Sequence, residues 1–394
     1  MLADPQLSES LVGFDYVPRT RVVFGEGVVD QLGKLAAELG GTRVLLVTDK
    51  GLAKAGHEKH GQNALESAGL KVTVFDDVHS NPSTIDVDHC VRVARDAKVD
   101  LIVGLGGGSS MDCAKGCNFL LTNGGRMEDY WGVGKASKPM LPMIAVPTTA
   151  GTGSEAQSFA LISQAESHVK MACGDPKAAV AIAVLDPVLT LTQPFAVTAV
   201  TGIDAISHAL ETFVTRKRSP VSQVFSREAW QALCRNYPIV CHEPGNLQAR
   251  AAMQLGAFWA GSAIENSMLG ATHSLANPLT AHFDMTHGVA IGVMLPHVIR
   301  FNGVEVAQHY GELAAAVGLC AVDDPEAPDH LAAHVRELTV QADLPTSLSE
   351  CGVDPGLFPM LAYEAAQQWT AQFNPRDVDV ECLEELYQAA WSDE

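Results

Sequence analysis

Cysteine pairs of the kind that bind zinc or anchor a disulfide framework are missing from this sequence. Its nine cysteines are scattered through 394 residues, their number is odd, and no two of them are separated by only two residues. Disulfide-stabilised secreted domains and thiolate zinc sites are therefore disfavoured. Unpaired thiols in this number are typical of a reducing compartment, so we expect a cytoplasmic protein.

Positive charge and long apolar runs are also scarce. The chain has 26 lysines and arginines against 46 aspartates and glutamates, which gives a formal net charge of −20. Such a surface repels nucleic acid phosphates and anionic lipid, so neither is an expected partner. No run of about 18 uncharged apolar residues occurs, so no membrane span is expected. The first twenty residues are acidic and lack the apolar core of a secretory signal.

The first half of the chain alternates short apolar runs with helical stretches such as 85–98. This order predicts an α/β domain with a parallel sheet and helices on both faces, with ligands bound at the carboxyl ends of the strands. The runs predicted to be strands are Arg43–Thr48, Lys71–Phe75, Leu101–Val103 and Met143–Val146.

The pattern changes after the apolar run 180–185, which Asp186-Pro187 terminates. Beyond it, Ala, Leu, Glu and Gln dominate long helical stretches, for example 222–235 and 247–265. We therefore predict a nucleotide-binding α/β domain over residues 1–190 and an all-α domain over residues 191–394. The cleft between two such domains is the default position of an active site.

Two glycine-rich segments follow predicted strands. Residues 101–109 run from a strand into three consecutive glycines, and 110–121 then has a helical pattern. Residues 147–155 combine four hydroxyl side chains with two glycines. Glycine turns at a helix start let the backbone approach an anion closely, so both segments are candidates for pyrophosphate binding. The simpler alternatives are a tight turn and a polar turn that caps the next helix.

Asp49 lies at the end of a predicted strand, directly after Thr48. A carboxylate at this position can accept hydrogen bonds from an adenosine ribose diol and would repel a 2′-phosphate, which favours NAD over NADP. The alternative is that Asp49 is an ordinary turn residue.

Histidines and one carboxylate in the second half form a possible metal site. Asp204 and His208 are four residues apart in a helical pattern, so both side chains leave one face of the helix. His273 and His287 could complete a set of three imidazoles and one carboxylate, which suits Fe²⁺ or Zn²⁺. An Asp/His pair at this spacing can also be a hydrogen-bonded core pair. His282 is a weaker candidate ligand or substrate contact, and His297 is expected to be structural.

Eight short segments, which include the glycine-rich turns and the candidate metal ligands described above, occur in the order typical of the iron-containing (group III) alcohol dehydrogenases. The chain resembles this family over essentially its full length. That resemblance implies a dehydroquinate synthase-like architecture, metal ligands at the four residues Asp204, His208, His273 and His287, and a homodimer or larger assembly. The segments that carry it are 47–50, 80–83, 106–112, 147–155, 185–187, 204–208, 272–273 and 287–290. The resemblance also implies cofactor contacts at Asp49, Asn81, Gly107, Gly108, Ser109, Asp112, Thr148, Thr149, Thr152 and Lys170.

The sequence departs from this family pattern near the second half of the metal site. The family usually has a second histidine four residues after the first, but here that position is Asn277. Asparagine can hydrogen-bond a substrate oxygen but cannot shuttle a proton. Asn277 is therefore a candidate catalytic-site residue with a changed role. Thr286 and Ser110 also replace usual prolines.

The expected function is a metal-dependent, NAD-linked oxidoreductase that interconverts a small alcohol and its aldehyde or ketone. A hydroxyacid–oxoacid transhydrogenase and a maleylacetate reductase-like enzyme are alternatives on the same fold. A nucleotide- and metal-binding sensor without turnover is an alternative of another class. A metal-dependent lyase is less favoured because no pocket of several arginines for a phosphate substrate is recognisable.

Overall fold

The computed structural model describes residues 13–167 and 169–392. Most of the acidic N-terminal segment used above to argue against a secretory signal lies outside the described residues. The described part of the chain contains a parallel sheet in its first half and helices in its second, which confirms the predicted fold class.

Six parallel strands form the main sheet in the order β1-β9-β6-β4-β2-β3. Three of the four predicted strands, 43–48, 101–103 and 143–146, lie inside this sheet, where a parallel strand is covered on both faces. The fourth, 71–75, forms an edge of the sheet. The six strands are β1 (Arg21–Phe24), β2 (Arg43–Val47), β3 (Lys71–Phe75), β4 (Leu101–Gly106), β6 (Met143–Pro147) and β9 (Ile182–Leu185).

A smaller sheet of three strands, ordered β5-β8-β7, lies beside the main sheet. Its strands β7 (Phe159–Ser163) and β8 (Lys170–Gly174) form an antiparallel hairpin, and β5 (Gly132–Val133) pairs with β8. The five helices of this half are α1 (Leu32–Glu38), α2 (Lys50–Ala55), α3 (His57–Ser67), α4 (Thr84–Ala97) and α5 (Gly108–Asn123).

The second half of the described chain is helical from Phe195 onward, and no strand occurs there after Leu185 within residues 13–167 and 169–392. The division at residues 190 and 191 stays a prediction, although it falls between the last strand and the first of these helices. The helices are α6 (Phe195–Val214), α7 (Pro220–His242), α8 (Leu247–Glu265), α9 (Ala271–Phe283), α10 (His287–Ala316), α11 (Ala327–Gln341), α12 (Phe358–Ala366) and α13 (Val380–Ala389).

Separate apolar cores form on the two faces of the sheet and inside the helical half. Alternate residues of β2 face opposite sides, so Leu45 and Val47 belong to one core while Val44 and Leu46 belong to the other. Helix α10 is long and apolar enough to cross a membrane by length and composition, but 67% of its apolar window is buried within the protein. It packs against α6 and α11 as a core helix.

Candidate metal and dinucleotide site

Four polar side chains from three helices converge at one point of the helical half. Asp204 and His208 leave the same face of α6, whereas His273 lies in the first turn of α9 and His287 begins α10. The Nε2 atoms of His208, His273 and His287 lie 3.3, 3.6 and 3.7 Å from the Asp204 Oδ1 atom. Asp204, His208 and His273 therefore place one ligand atom each within 4.8 Å of one another, and His287 approaches this group through Asp204 Oδ1.

The spacing of these atoms fits a bound cation. Metal bonds of about 2.0–2.2 Å at tetrahedral angles separate two ligand atoms by about 3.3–3.6 Å. Asp204 Oδ1 and His273 Nε2 are both buried without a hydrogen-bond partner. Because a buried polar atom without a partner is costly, two such atoms facing each other fit a site that holds a cation. An ordinary hydrogen-bonded core pair would have satisfied these atoms.

Protonation states in the site also suit a cation. Burial lowers the pKa of His287 to about 3 and lowers the pKa of His208, so both imidazoles are neutral at pH 7. Burial alone would raise the pKa of Asp204, but the three surrounding imidazoles lower it more. The site therefore offers one carboxylate and at least two neutral imidazoles, which are the forms that bind metals.

Glu211 supports this cluster and is not predicted above. Its Oε2 accepts a hydrogen bond of 2.6 Å from His273 Nδ1, and its Oε1 accepts one of 2.8 Å from the Thr272 backbone N–H. Against the effect of burial, this carboxylate and Asp204 raise the pKa of His273 to about 9. Glu211 follows Asp204 by seven residues, which is about two turns of a helix, so both side chains lie on one helix face. This spacing is the signal in the sequence that could have revealed Glu211. Such a carboxylate fixes the tautomer and orientation of a ligating imidazole.

Replacing Glu211 with glutamine should weaken metal binding without removing a ligand. The amide can still accept from the Thr272 N–H, but it no longer pairs a charge with the His273 ring. We expect the metal dissociation constant to rise by about 10- to 100-fold, measured by competition with a chromogenic chelator. Glu364→Gln is the matched control because Glu364 accepts from the exposed His282 instead. An unchanged affinity in Glu211→Gln would show that Glu211 does not tune the site.

The two glycine-rich segments meet at the carboxyl edge of the main sheet. They follow the neighbouring strands β4 and β6, and the Thr148 N–H donates to Gly106 O at 3.0 Å. Gly107 is the N-cap of α5 and has no side chain to satisfy the helix N–H groups. A Cβ atom at Gly108 would lie 2.8 Å from the Thr152 methyl group, whereas one at Gly107 would lie 3.5 Å from its nearest neighbour, Thr149. The space at Gly107 is bordered by Thr149 at ordinary contact distance, and its position at the N-terminus of α5 suits a phosphate.

Asp49 and Asn81 flank the same edge of the sheet. Asp49 is the N-cap of α2, and its Oδ1 accepts from the N–H groups of Gly51 and Leu52 at 2.8 and 3.1 Å. The turn-residue interpretation is therefore correct for one oxygen of this carboxylate, which still leaves Oδ2 for a ribose. Asn81 has a left-handed backbone, and its N–H donates to Ser109 Oγ at 3.3 Å. Both residues lie next to the glycine turn.

Lys115, which is not predicted above, joins the two glycine-rich loops through a buried network that includes the predicted residue Asp112. Lys115 is fully buried, and its Nζ donates to Ser154 O, Ser154 Oγ and Phe159 O at 2.6, 2.9 and 2.9 Å. Ser154 Oγ donates to Asp112 at 2.7 Å. Burial lowers the pKa of Lys170, while the charges of Asp112 and Asp204 oppose that effect. Lys170 is thus within electrostatic reach of both halves of the site.

The remaining candidate histidines lie outside the cluster, and Asn277 lies close to it. His282 Nε2 pairs with Glu364 at 2.8 Å in an exposed position, so the structure does not bring His282 to the proposed ligands. His297 is half-buried on α10. Asn277 is on α9 one turn after His273, and its Nδ2 donates to Gln368 at 3.0 Å.

Comparison with known proteins identifies the family. The model of the iron-containing alcohol dehydrogenase family matches residues 18–187, and the model of the C-terminal region of the Fe-containing alcohol dehydrogenase family matches residues 198–391. Together these two matches cover most of the chain.

Individual relatives agree with this result over their full lengths. The chain is 33% identical to the 1,3-propanediol dehydrogenase of Klebsiella pneumoniae, covering 96% of this chain and 99% of that protein. It is 31% identical to the NAD-dependent methanol dehydrogenase of Bacillus methanolicus, covering 95% and 99%. A crystal structure of a 1,3-propanediol oxidoreductase matches with a TM-score of 0.93 and 33% identity over 96% of this chain and 100% of that one. The chain therefore belongs to the iron-containing alcohol dehydrogenase family and is an oxidoreductase acting on alcohols and their carbonyl counterparts.

Proposed function

We propose that this protein transfers a hydride between NAD(H) and a small alcohol or its aldehyde or ketone, with one divalent metal ion, Fe²⁺ in preference to Zn²⁺. The observation that carries the proposal is the convergence of three imidazole Nε2 atoms within 3.7 Å of the buried Asp204 Oδ1. A nucleotide- and metal-binding sensor would use the same cluster, so the assay for turnover separates that alternative from an enzyme. The complete set of ligands disfavours a metal-free reductase.

The roles of the residues follow from their positions. A cation bound by Asp204, His208, His273 and His287 would polarise the substrate oxygen as a Lewis acid, and the nicotinamide would exchange the hydride. Other residues of the chain would bind and orient the dinucleotide. Gly107, Gly108 and the threonines at 148, 149 and 152 would hold the pyrophosphate and the adjoining ribose, Asp49 the adenosine ribose, and Lys170 the nicotinamide ribose. Asn81, Ser109 and Asp112 would complete the contacts with the dinucleotide.

The test joins metal analysis to an assay for turnover. Protein purified without chelator should contain about one iron or zinc ion per chain, as a single four-ligand site requires. It should oxidise NADH with small aldehydes as second substrate, and chelator should abolish that activity until metal is restored. Hydride exchange between two acids without added NADH would instead support a transhydrogenase. Bound NADH and metal with no turnover on any aldehyde would support the sensor.

Replacing Gly107 with alanine should weaken NADH binding while leaving the fold intact. The backbone of Gly107 has a φ of −77°, which alanine adopts freely, and the added Cβ meets nothing closer than 3.5 Å. The methyl group would instead occupy the space proposed for phosphate. We expect the NADH dissociation constant, measured by fluorescence titration, to rise by about tenfold, because a close backbone contact and its charge-assisted hydrogen bonds are lost.

Gly245→Ala is the matched control for this variant. A Cβ added at Gly245 would have no atom within 4 Å, so both NADH affinity and thermal stability should be unchanged. If Gly107→Ala binds NADH as tightly as Gly245→Ala does, the turn before α5 is not the pyrophosphate site.

We also propose that the protein is a cytoplasmic homodimer or larger homo-oligomer. All nine cysteines are free, which is consistent with a reducing compartment. Strand β1 forms one edge of the main sheet and exposes Val22 and Phe24. An apolar edge strand of this kind is a place for a second copy to pair, which light scattering in solution would test.

A further inference from the structure

The buried lysine in the middle of α5 uses every donor that it has. Its three hydrogen bonds go to the backbone carbonyl and the hydroxyl of Ser154 and to the backbone carbonyl of Phe159. An ammonium group has three N–H donors and no acceptor, so none of them is left for a ligand. Lys115 therefore acts on the site through Ser154 and Phe159 and not by direct contact.

Stability alone does not account for a lysine at this position. Burial lowers the pKa of Lys115, and the charges of Asp112, Glu265 and Glu155 oppose that effect. Taking such charges out of water is costly, and an apolar side chain of similar volume often stabilises a buried position equally well or better. What an apolar side chain could not provide is the fixed geometry of three hydrogen bonds to one segment of the chain.

The segment that Lys115 holds lies along one face of α5. Gly108, Asp112 and Lys115 are spaced four and three residues apart, so they share that face. In the first turn of the helix, a Cβ at Gly108 would lie 2.8 Å from the Thr152 methyl group. One turn later Asp112 accepts from Ser154 Oγ at 2.7 Å, and in the next turn Lys115 donates to the same serine. The chain from Thr152 to Ser154 thus contacts α5 at three successive levels.

The position of Thr152 depends on Ser154. The backbone N–H of Ser154 donates to Thr152 Oγ1 at 3.3 Å, and Gln157 Nε2 donates to Thr152 O at 2.8 Å. Thr152 and Asp112 both belong to the proposed contacts with the dinucleotide. A displacement of Ser154 would therefore move two of those contacts at once.

We propose that Lys115 is a positioning residue for the dinucleotide, which through Ser154 holds the loop after β6 in place beside the glycine turn at the start of α5. This inference rests on the proposed function, which puts the pyrophosphate between those two segments. The same loop is fixed against α6 without Lys115, because a Cβ at Gly151 would lie 2.5 Å from the Thr201 Cβ. Lys115 should therefore govern NADH affinity and leave metal binding unchanged.

Lys115→Met in metal-loaded protein tests this inference, since methionine is similar in volume and has no charge. We expect the NADH dissociation constant, measured by fluorescence titration, to rise by about tenfold or more, because the loop loses its charge-assisted hydrogen bonds. Turnover of a small aldehyde at saturating NADH should fall by no more than about threefold, and metal content should be unchanged. A general loss of stability would not separate affinity from turnover in this way.

Ser154→Ala is a smaller change at the same contact. It removes the hydroxyl between Lys115 and Asp112 and keeps the backbone carbonyl, so the NADH dissociation constant should rise by about threefold. In the double variant the rise should be smaller than the product of the two single effects, because both substitutions act through one contact.

Lys177→Met is the matched control. Its Nζ donates to the carbonyl of Ala136 at 3.1 Å and to Asp175 at 3.2 Å, neither of which belongs to the glycine-rich segments, so NADH affinity should be unchanged. An unchanged NADH affinity in folded Lys115→Met overturns the inference, as does a full multiplication of the two effects in the double variant. If Lys115→Met does not fold, an unchanged affinity in Ser154→Ala overturns it. Absence of NADH binding by the unaltered metal-loaded protein overturns the proposed function itself.

Discussion

Asp204→Asn should release the metal ion and reduce turnover by about a thousandfold or more, equivalent to at least about 4 kcal/mol of transition-state stabilisation. Asp204 Oδ1 is the atom that all three imidazole Nε2 atoms face. It carries the cluster's negative charge toward the cation, whereas the imidazoles of His208 and His287 are neutral. The amide keeps the shape of the side chain but removes that charge, so the effect should exceed that of losing a supporting residue such as Glu211.

The measurement needs metal content and activity from the same preparation. Metal per chain by plasma emission should fall below about a tenth in Asp204→Asn, because an uncharged amide is a poor ligand for a divalent ion. Asp329→Asn is the matched control, since Asp329 is 67% exposed and pairs with Arg300. A thermal melt should show that both variants are folded. Full metal content with turnover within tenfold of the unaltered protein would remove Asp204 from the proposed chemistry.

The sequence predicts a strand best where other elements of the fold bury both of its faces. Strands β2, β4 and β6 lie inside the sheet and are mainly apolar, whereas β3 is a partly exposed edge strand; the sequence predicts all four near their observed bounds. The hairpin of β7 and β8 is not predicted, because its residues alternate between buried and partly exposed and so form no continuous apolar run. Strand β4 extends to Gly106, beyond the predicted end at Val103, since its glycines allow α5 to pack closely.

The metal site also has one part that local sequence patterns predict and another that depends on how distant helices pack. Helical spacing alone pairs Asp204 with His208, but no spacing rule can tell which of the distant histidines completes the cluster, because helix packing decides it. His273 and His287 are candidates in the sequence that the family resemblance also implies as ligands, and the structure places His282 elsewhere. The contact of Gly288 with α6 shows the constraint: a Cβ there would lie 2.1 Å from Val200 O. Such a close crossing of helices is what brings His287 to Asp204.

Glu155 should make the stability of the protein fall as the pH rises. It lies in the short turn Ser154–Ala156, is 3% exposed, and packs against α8 at the crossing of Gly153 and Gly261. Burial raises the pKa of Glu155 to about 7 from its ordinary value of 4.5, although the nearby Lys115 charge opposes this. Between these two values the folded protein keeps a proton that the unfolded chain releases. Raising the pH from 5 to 8 therefore removes stability, by about 3 kcal/mol.

Glu155→Gln should abolish this part of the pH dependence, since the amide has the same shape and does not ionise. Urea unfolding of chelator-treated protein at pH 5 and pH 8 measures it, because metal release then adds no pH dependence of its own. Relative to the unaltered protein, the variant should gain about 3 kcal/mol on going from pH 5 to pH 8, a large part of the stability of a typical domain. Glu26→Gln, at an exposed position, should follow the unaltered protein at both pH values. If Glu155→Gln also follows it, the carboxyl group of Glu155 is already ionised at pH 5, and the buried turn holds a charge that Lys115 fully compensates.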